Sequence, residues 1–432
     1  MRIYWLVLGI CCGLAGNVAL ASDDFELPPI NYSQSKPQNR VSRLMEDLEQ
    51  GKQSLQYDDK FGYLKPLLDA LEVPVSSQML VYSKTSLQRQ RIAPRTPRAL
   101  YFSDDVYVGY CHNGDVLEIS AVDPHLGTVY YTIDQEPGEK PLFVRQTDNC
   151  LICHGSSQTQ NVPGHVVRSV FSDRGGQPVL SAGSFRIDHS SPIEERWGGW
   201  YVSGTHGDMK HLGNLIVADK KNPRTENDAA NLNLTDLGER FDRDAYLTPH
   251  SDIVALMVME HQTMAHNLIT RASYTARQAT HYQDSLNREL GKPADHVWDS
   301  TKSRIKSVGE PLVKCLLFSE EAPLKDRIVG VSGFAEEFSS QGTKDAQGRS
   351  LRQFDLERRV FKYPCSYVIE SEAFDELPPV MLEYVYRRLH EVLTGKDTSK
   401  DFAHLSAEDR TAILEILRAT KKNLPDYFAE AK

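Results

Sequence analysis

The 432-residue chain has little cysteine, seven residues in all, and only one pair is spaced Cys-x-x-Cys. A structural zinc site takes four ligands, usually from a second Cys/His pair, so the lack of a second Cys-x-x-Cys argues against that use. There is no Gly-x-Ser-x-Gly, no Walker loop and no dinucleotide fingerprint, which removes the commonest signatures of acyl transfer and nucleotide chemistry. His261 and His266 do not make the zincin spacing, since Glu260 precedes His261. Positive charge is not in excess: 49 Lys and Arg face 59 Asp and Glu, a net charge of −10. Such a surface argues against nucleic acid and favours a partner with a basic face. After residue 14 no apolar run is long enough to span a membrane, so no integral membrane segment is expected once the leader is removed. No internal repeat or low-complexity block stands out.

What is present is an ordinary globular composition, 40% hydrophobic and 25% charged, in a length that allows two or three domains. The first 21 residues read as a secretory signal peptide. Arg2 supplies the positive start, Ile3 to Leu14 the apolar core, and Ala19-Leu20-Ala21 a small-x-small cleavage site before Ser22. Cys11 and Cys12 raise a lipoprotein signal, but Ile10 stands where a small residue is required. An uncleaved anchor is the competing reading. Cleavage leaves Cys111, Cys150, Cys153, Cys315 and Cys365. Cys315 and Cys365 read equally as a disulfide or as two buried thiols.

Cys150-Leu151-Ile152-Cys153-His154 has the form of a c-type haem attachment site. Two thiols at that spacing can each add across a vinyl group of one porphyrin, and the histidine that follows can ligate the iron. A redox dithiol is the alternative, but it wants a long helix next, and Gly155-Ser156-Ser157 breaks one. Covalent haem attachment in bacteria takes place outside the cytoplasmic membrane, so motif and signal both imply a periplasmic or secreted protein.

The expected fold class is α+β. Residues 22–96 read as an extended leader with short helices, from Val41 to Leu48 and from Phe61 to Leu71. Residues 97–220 read as a β-rich haem unit. There Val106 to Tyr110 and Val116 to Ile119 flank the hairpin signal Asn113-Gly114, Val129 to Ile133 is a strand, and Trp197 to Val202 reads as a further strand. Residues 221–432 read as mainly helical, with helices over 251–290, 376–393 and 407–420 and a loop-rich stretch over 310–375.

Phe143-Val144-Arg145 and Cys150-Leu151-Ile152-Cys153-His154-Gly155 resemble the corresponding segment of c-type cytochromes. The likeness is nearest to large secreted bacterial monohaem proteins with a PAS-like haem c unit, and its specific part covers residues 140–205. It implies one haem c, with thioether bonds at Cys150 and Cys153 and His154 as proximal ligand. It does not supply the other axial ligand, because the Met loop of small cytochromes c is not evident.

Three residues are candidates for that sixth ligand. His206 and His211 flank Met209 on a glycine-containing loop. His261 shares a helical face with Ile253, Met257, Met264 and Leu268, where a histidine satisfied within the core is the ordinary reading. His165 lies close in sequence to the motif. Arg168 and Arg186 could pair with propionates, and Trp197, Trp200 and Tyr201 could pack on the porphyrin or simply fill a core. Three functions follow: an electron carrier with a redox partner protein, a peroxidase-like haem enzyme with an open distal site, and a haem-based redox or gas sensor. Chain length favours the second and strand order the third, but no output domain is visible.

Overall fold

A computed structural model describes residues 24–138, 140–220 and 228–429; the signal peptide read over residues 1–21 lies outside them. The fold is α+β, a six-stranded antiparallel sheet preceded by short helices and followed by a mainly helical C-terminal region.

The sheet is a meander in chain order: β1 (Met79–Val81), β2 (Arg98–Phe102), β3 (Val106–Tyr110), β4 (Val116–Asp123), β5 (Gly127–Asp134) and β6 (Phe143–Gln146). Asn113 turns the β3–β4 hairpin with φ 54°, as its left-handed tolerance allows. Alternation sorts the side chains to two faces. One carries Tyr101, Val108, Ile119, Tyr131 and Ile133, which join Val41, Leu44, Leu64 and Leu68 in a buried core. Those four belong to α1 (Arg40–Glu49) and α2 (Leu64–Ala70). The opposite face presents Arg98, Tyr107, Glu118, Ser120, Tyr130 and Thr132. This second face carries the candidate site.

Two expectations are corrected here. The sheet begins at Met79, ahead of the boundary read at 97, because a three-residue buried strand gives no alternation to read. Residues 197–202 form no strand. They run beside the β1 edge through single contacts, Tyr201 N–H to Leu80 O at 2.8 Å and Tyr82 N–H to Gly199 O at 2.9 Å. Trp197 at φ 66° and Gly199 at φ 81° bend the segment out of extended geometry. A Cβ on Gly199 would stand 2.7 Å from the Ser83 Cβ, so only glycine fits that bend.

One helical turn, α3 (Leu151–His154), follows the edge strand β6. Small ladders come next: β7 (Arg168–Val170), β8 (Ser172–Asp173), β9 (Ser184–Arg186) and β10 (Ile216–Val217), with β7 against β9 and β8 beside β10. The 37-residue α4 (Ile253–Glu289) is the centre of the C-terminal region, about 55 Å long at the usual rise per residue. It packs on α5 (Asp299–Leu316), α5 on α8 (Pro379–Leu393), and α8 on α9 (Ala407–Thr420), with α6 (Phe334–Ser340) and α7 (Glu372–Asp375) against α4. The helices expected over 251–290, 376–393 and 407–420 are these, within a few residues. α5 escaped the sequence pattern because Pro311 and Gly309 sit inside it. Ile253 to Ala276 of α4 enter the helical core with Phe102, Tyr107 and Val122 of the sheet, while Tyr274 belongs to the sheet's other core.

Asp252 caps α4. One oxygen accepts from Val254 N–H at 2.8 Å and Ala255 N–H at 3.3 Å, the other from Val331 N–H at 2.6 Å and Ser332 N–H at 2.8 Å. Asp252→Ala should therefore lose a cap and leave two further half-buried amides without their acceptor, a cost of about 1–3 kcal/mol. The check is a drop in the urea midpoint with an unchanged slope.

Candidate functional site

The motif is one turn of helix hung from a sheet edge. His154 N–H bonds to the Cys150 carbonyl at 3.0 Å, which sets Cys150 and His154 above one another on one side. Leu151 anchors the turn in the core, while Ile152 is 76% exposed and Cys153 is also exposed. Cys150 is half-buried, and burial pushes its thiol up to about 11. A redox dithiol needs a depressed thiol at the start of a longer helix; this turn offers neither.

The chain then loops back beneath the histidine. Gly164 N–H bonds to His154 O at 2.8 Å, and the Gly164 carbonyl lies 3.0 Å from His154 Nδ1. A carbonyl can only accept, so Nδ1 carries the proton and Nε2 the lone pair. Tyr130 O–H donates to the same carbonyl, and its ring is 5.1 Å from the His154 ring. Asn267 of α4 clamps the next residue, accepting from His165 N–H at 2.9 Å and donating to His165 O at 2.7 Å. A Cβ on Gly164 would stand 2.2 Å from Asn267 Oδ1, so the loop passes where only glycine can. Burial lowers the His154 ring below its usual value, which keeps it neutral.

Arg98 and Glu118 form a half-buried ion pair at 2.6 Å and act electrostatically on both Cys150 and His154. Arg98 Nε is buried without a hydrogen-bond partner, over Gly109. Leu142 at 60%, Val144 at 42% and Ile152 leave apolar surface exposed on the edge strand β6, just before it and on the turn that follows. A tautomer-fixed histidine, two accessible thiols, an orphaned guanidinium N–H and bare apolar side chains fit a covalently attached haem.

His165, noted in sequence only for its nearness, joins this group. Its ring stands 4.1 Å from Tyr107 and 6.2 Å from Tyr130, with Nε2 2.8 Å from Ser120 Oγ and Nδ1 3.4 Å from Thr128 Oγ1. Burial, with the positive potential of His154 and His266, holds it well below its usual value. The three sixth-ligand candidates lie in other groupings. His206 and His211 pack on each other at 4.6 Å, and His211 on Trp197 at 5.1 Å. His261 stacks on Phe318 at 4.1 Å and meets His189, with Nδ1 atoms 3.2 Å apart. Trp200 donates to Arg168 O, and Tyr201 lies in the core against Tyr82 and Phe241. Arg168 and Arg186 pair across β7 and β9 on the surface. Cys315 and Cys365 are separate buried thiols, so the disulfide reading is set aside.

The first half of α4, behind the site, is unusually polar for a buried helix segment. Glu260, His261, Gln262, Thr263, His266 and Asn267 are all buried, and burying a polar group without a partner costs about 1–3 kcal/mol. Each is matched. Glu260 meets Arg196 and Trp197, and Gln262 meets Tyr107, Ser103 O and Tyr367. His266 lies 3.3 Å from Tyr107 O–H. No local sequence pattern marks these partners, which come from as far as 159 residues away.

No family of proteins, no curated protein and no solved structure matches this chain.

Proposed function

We propose that the chain is a periplasmic monohaem c-type cytochrome that passes electrons to or from a partner protein. The observation that carries this reading is the Cys150-x-x-Cys153-His154 turn with the His154 Nδ1 proton committed to the Gly164 carbonyl. A bound haem c supplies one-electron Fe(III)/Fe(II) chemistry. Cys150 and Cys153 would hold the group by thioether bonds, which prevents its loss outside the cell. His154 would present Nε2 to the metal, and the Gly164 carbonyl would fix the ring's tautomer and raise its basicity. Arg98 Nε would donate to a carboxylate of the group. Leu142, Val144 and Ile152 are exposed apolar side chains that a bound porphyrin would cover. The acidic net charge supports a partner with a basic face. Among the described residues no helix is long and apolar enough to cross a membrane.

The test is expression with a haem c maturation system. The native chain should yield one covalent haem per chain and a c-type spectrum. Cys153→Ser should lose most of the covalent haem, and a variant that keeps it at full yield sinks the proposal. A ferric EPR spectrum then separates the carrier from a peroxidase-like enzyme. Low-spin, six-coordinate iron indifferent to cyanide supports the carrier; high-spin iron that turns over peroxide supports the enzyme. Replacing His206, His211 and His261 one at a time tests each as the sixth ligand through the same spectrum.

A further inference from the structure

Away from the haem motif, His189, His261 and Cys315 bring three ligand atoms within 4.8 Å of one another, and they are the only such trio of His, Cys, Asp and Glu among the described residues. They arrive on three separate segments. His189 lies in the loop after β9, His261 on the buried face of α4, and Cys315 in the last turn of α5. All three are 5% exposed or less.

Two buried imidazoles beside a buried thiol could simply be packing. The hydrogen bonds argue for more. His261 Nε2 is held by Ser366 Oγ at 2.6 Å, and the His189 ring bonds to the Ser319 backbone. His261 thus has its outer nitrogen anchored, and both rings turn Nδ1 toward each other at a separation of 3.2 Å. Anchoring of the outer nitrogen is how proteins orient metal-binding histidines. Two nitrogen ligands on one tetrahedral zinc stand about 3.3 Å apart, and nitrogen and sulfur about 3.6 Å, from the usual bond lengths. The Nδ1 pair already has that spacing, and the thiol, within 4.8 Å, needs to close by at most about 1.2 Å.

The surround is also that of a metal site. Phe318 stacks on His261 at 4.1 Å and lies 5.2 Å from His189, with Phe361 behind, so the trio is walled by aromatic rings. The carbonyl of His189 is fixed from two sides, by Arg196 Nη2 and by Ala322 N–H, each at 3.0 Å. This holds the loop ligand against the helix ligand.

We infer that His189, His261 and Cys315 form a buried site for one thiophilic first-row ion, zinc(II) or copper. Two imidazoles and one thiolate suit these ions and not magnesium or calcium, which prefer oxygen. Binding forms two metal–nitrogen bonds and one metal–sulfur bond and releases the Cys315 thiol proton to solvent. One coordination position remains beyond the three protein ligands. The inference does not depend on the haem.

The experiment is metal analysis and X-ray absorption on the full chain, with haem iron measured separately. Zinc or copper near one per chain, with two nitrogens and one sulfur in its shell, is the expected result, and the absorption edge says which ion it is. Cys315→Ser should lose at least tenfold in occupancy, and Cys365→Ser, at another buried thiol, should lose none. Should Cys315→Ser fail to fold, the native spectrum decides alone. Absence of a second metal after zinc or copper is supplied, or a shell without sulfur, overturns the inference. Cys153→Ser should keep this metal while losing haem, so failure of one site is distinguishable from failure of the other.

Discussion

Arg196→Ala is expected to cost about 3–5 kcal/mol, enough to leave a marginally stable protein largely unfolded. Arg196 and Glu260 are both buried, with Nη1 2.9 Å from the carboxylate. The guanidinium also bonds to Ser191 O through Nε at 2.9 Å and Nη2 at 2.7 Å, and to His189 O at 3.0 Å. The other Glu260 oxygen accepts from the Trp197 indole N–H. Alanine removes the cation and leaves the carboxyl buried with one donor, so that it must either stay charged there or take up a proton. The large figure is the cost of that stranded charge, not the worth of the pair. Arg196→Met with Glu260→Leu should therefore recover most of the loss. Urea midpoints of the native, single and double variants measure this; a double variant no more stable than the single would refute the account.

The same variant carries a pH signature. Burial raises Glu260 to about 7 even with Arg196 beside it, and without the arginine it rises further. A carboxyl raised on folding gives stability that is present below its unfolded value, near 4.5, and lost as pH rises through the folded value. The deficit of Arg196→Ala should widen from pH 5 to pH 8.

The second large effect is loss of the native fold in mild acid. Burial holds His189 and His266 down at about 4 and His211 at about 3, with His165 and His261 well below the ordinary range. A group lowered on folding gives stability that is intact above its unfolded value, about 6.5, and lost as pH falls toward the folded one. Glu260 and Glu321, both raised to about 7 by burial, work in the opposite sense, and Asp105 and Glu370 are raised too. Between about pH 6.5 and 4.5 the five lowered histidines outnumber the four raised carboxyls, so the unfolded chain holds the more protons. Stability should fall as pH falls, by about 1.4 kcal/mol per pH unit for each proton of the excess. Denaturant midpoints of chelator-treated protein at pH 7.5 and 5.5 test this, and equal midpoints would exclude it.

The sequence carried the parts of this molecule that repeat over short distances. The Asn113-Gly114 hairpin, the closing helices and the α+β class were legible because turn chemistry and periodicity are local. So was the Cys150 to His154 turn. What holds that turn was not legible. Gly164, Tyr130, Asn267 and Arg98 reach His154 from a loop, two strands and a helix, and no spacing links them. The histidines show the limit most clearly. His261 read as one residue on an apolar face, and that reading could not anticipate His189, 72 residues earlier, against its ring. Trp197 to Val202 failed as a strand for a different reason. Its aromatic, β-prone composition was right, but a left-handed tryptophan and glycine bend it out of extended geometry.

α4 has no side facing solvent over most of its first half, and it serves two cores at once. It is a party wall. Removing the sheet side would strand His266 and Asn267, whose partners are Tyr107 and His165. Removing the C-terminal side would strand His261, which bonds to Ser366, and Gln262 would lose a partner either way. Neither layer has a way to melt while the other stays native, so the chain gives up its structure all at once or not at all.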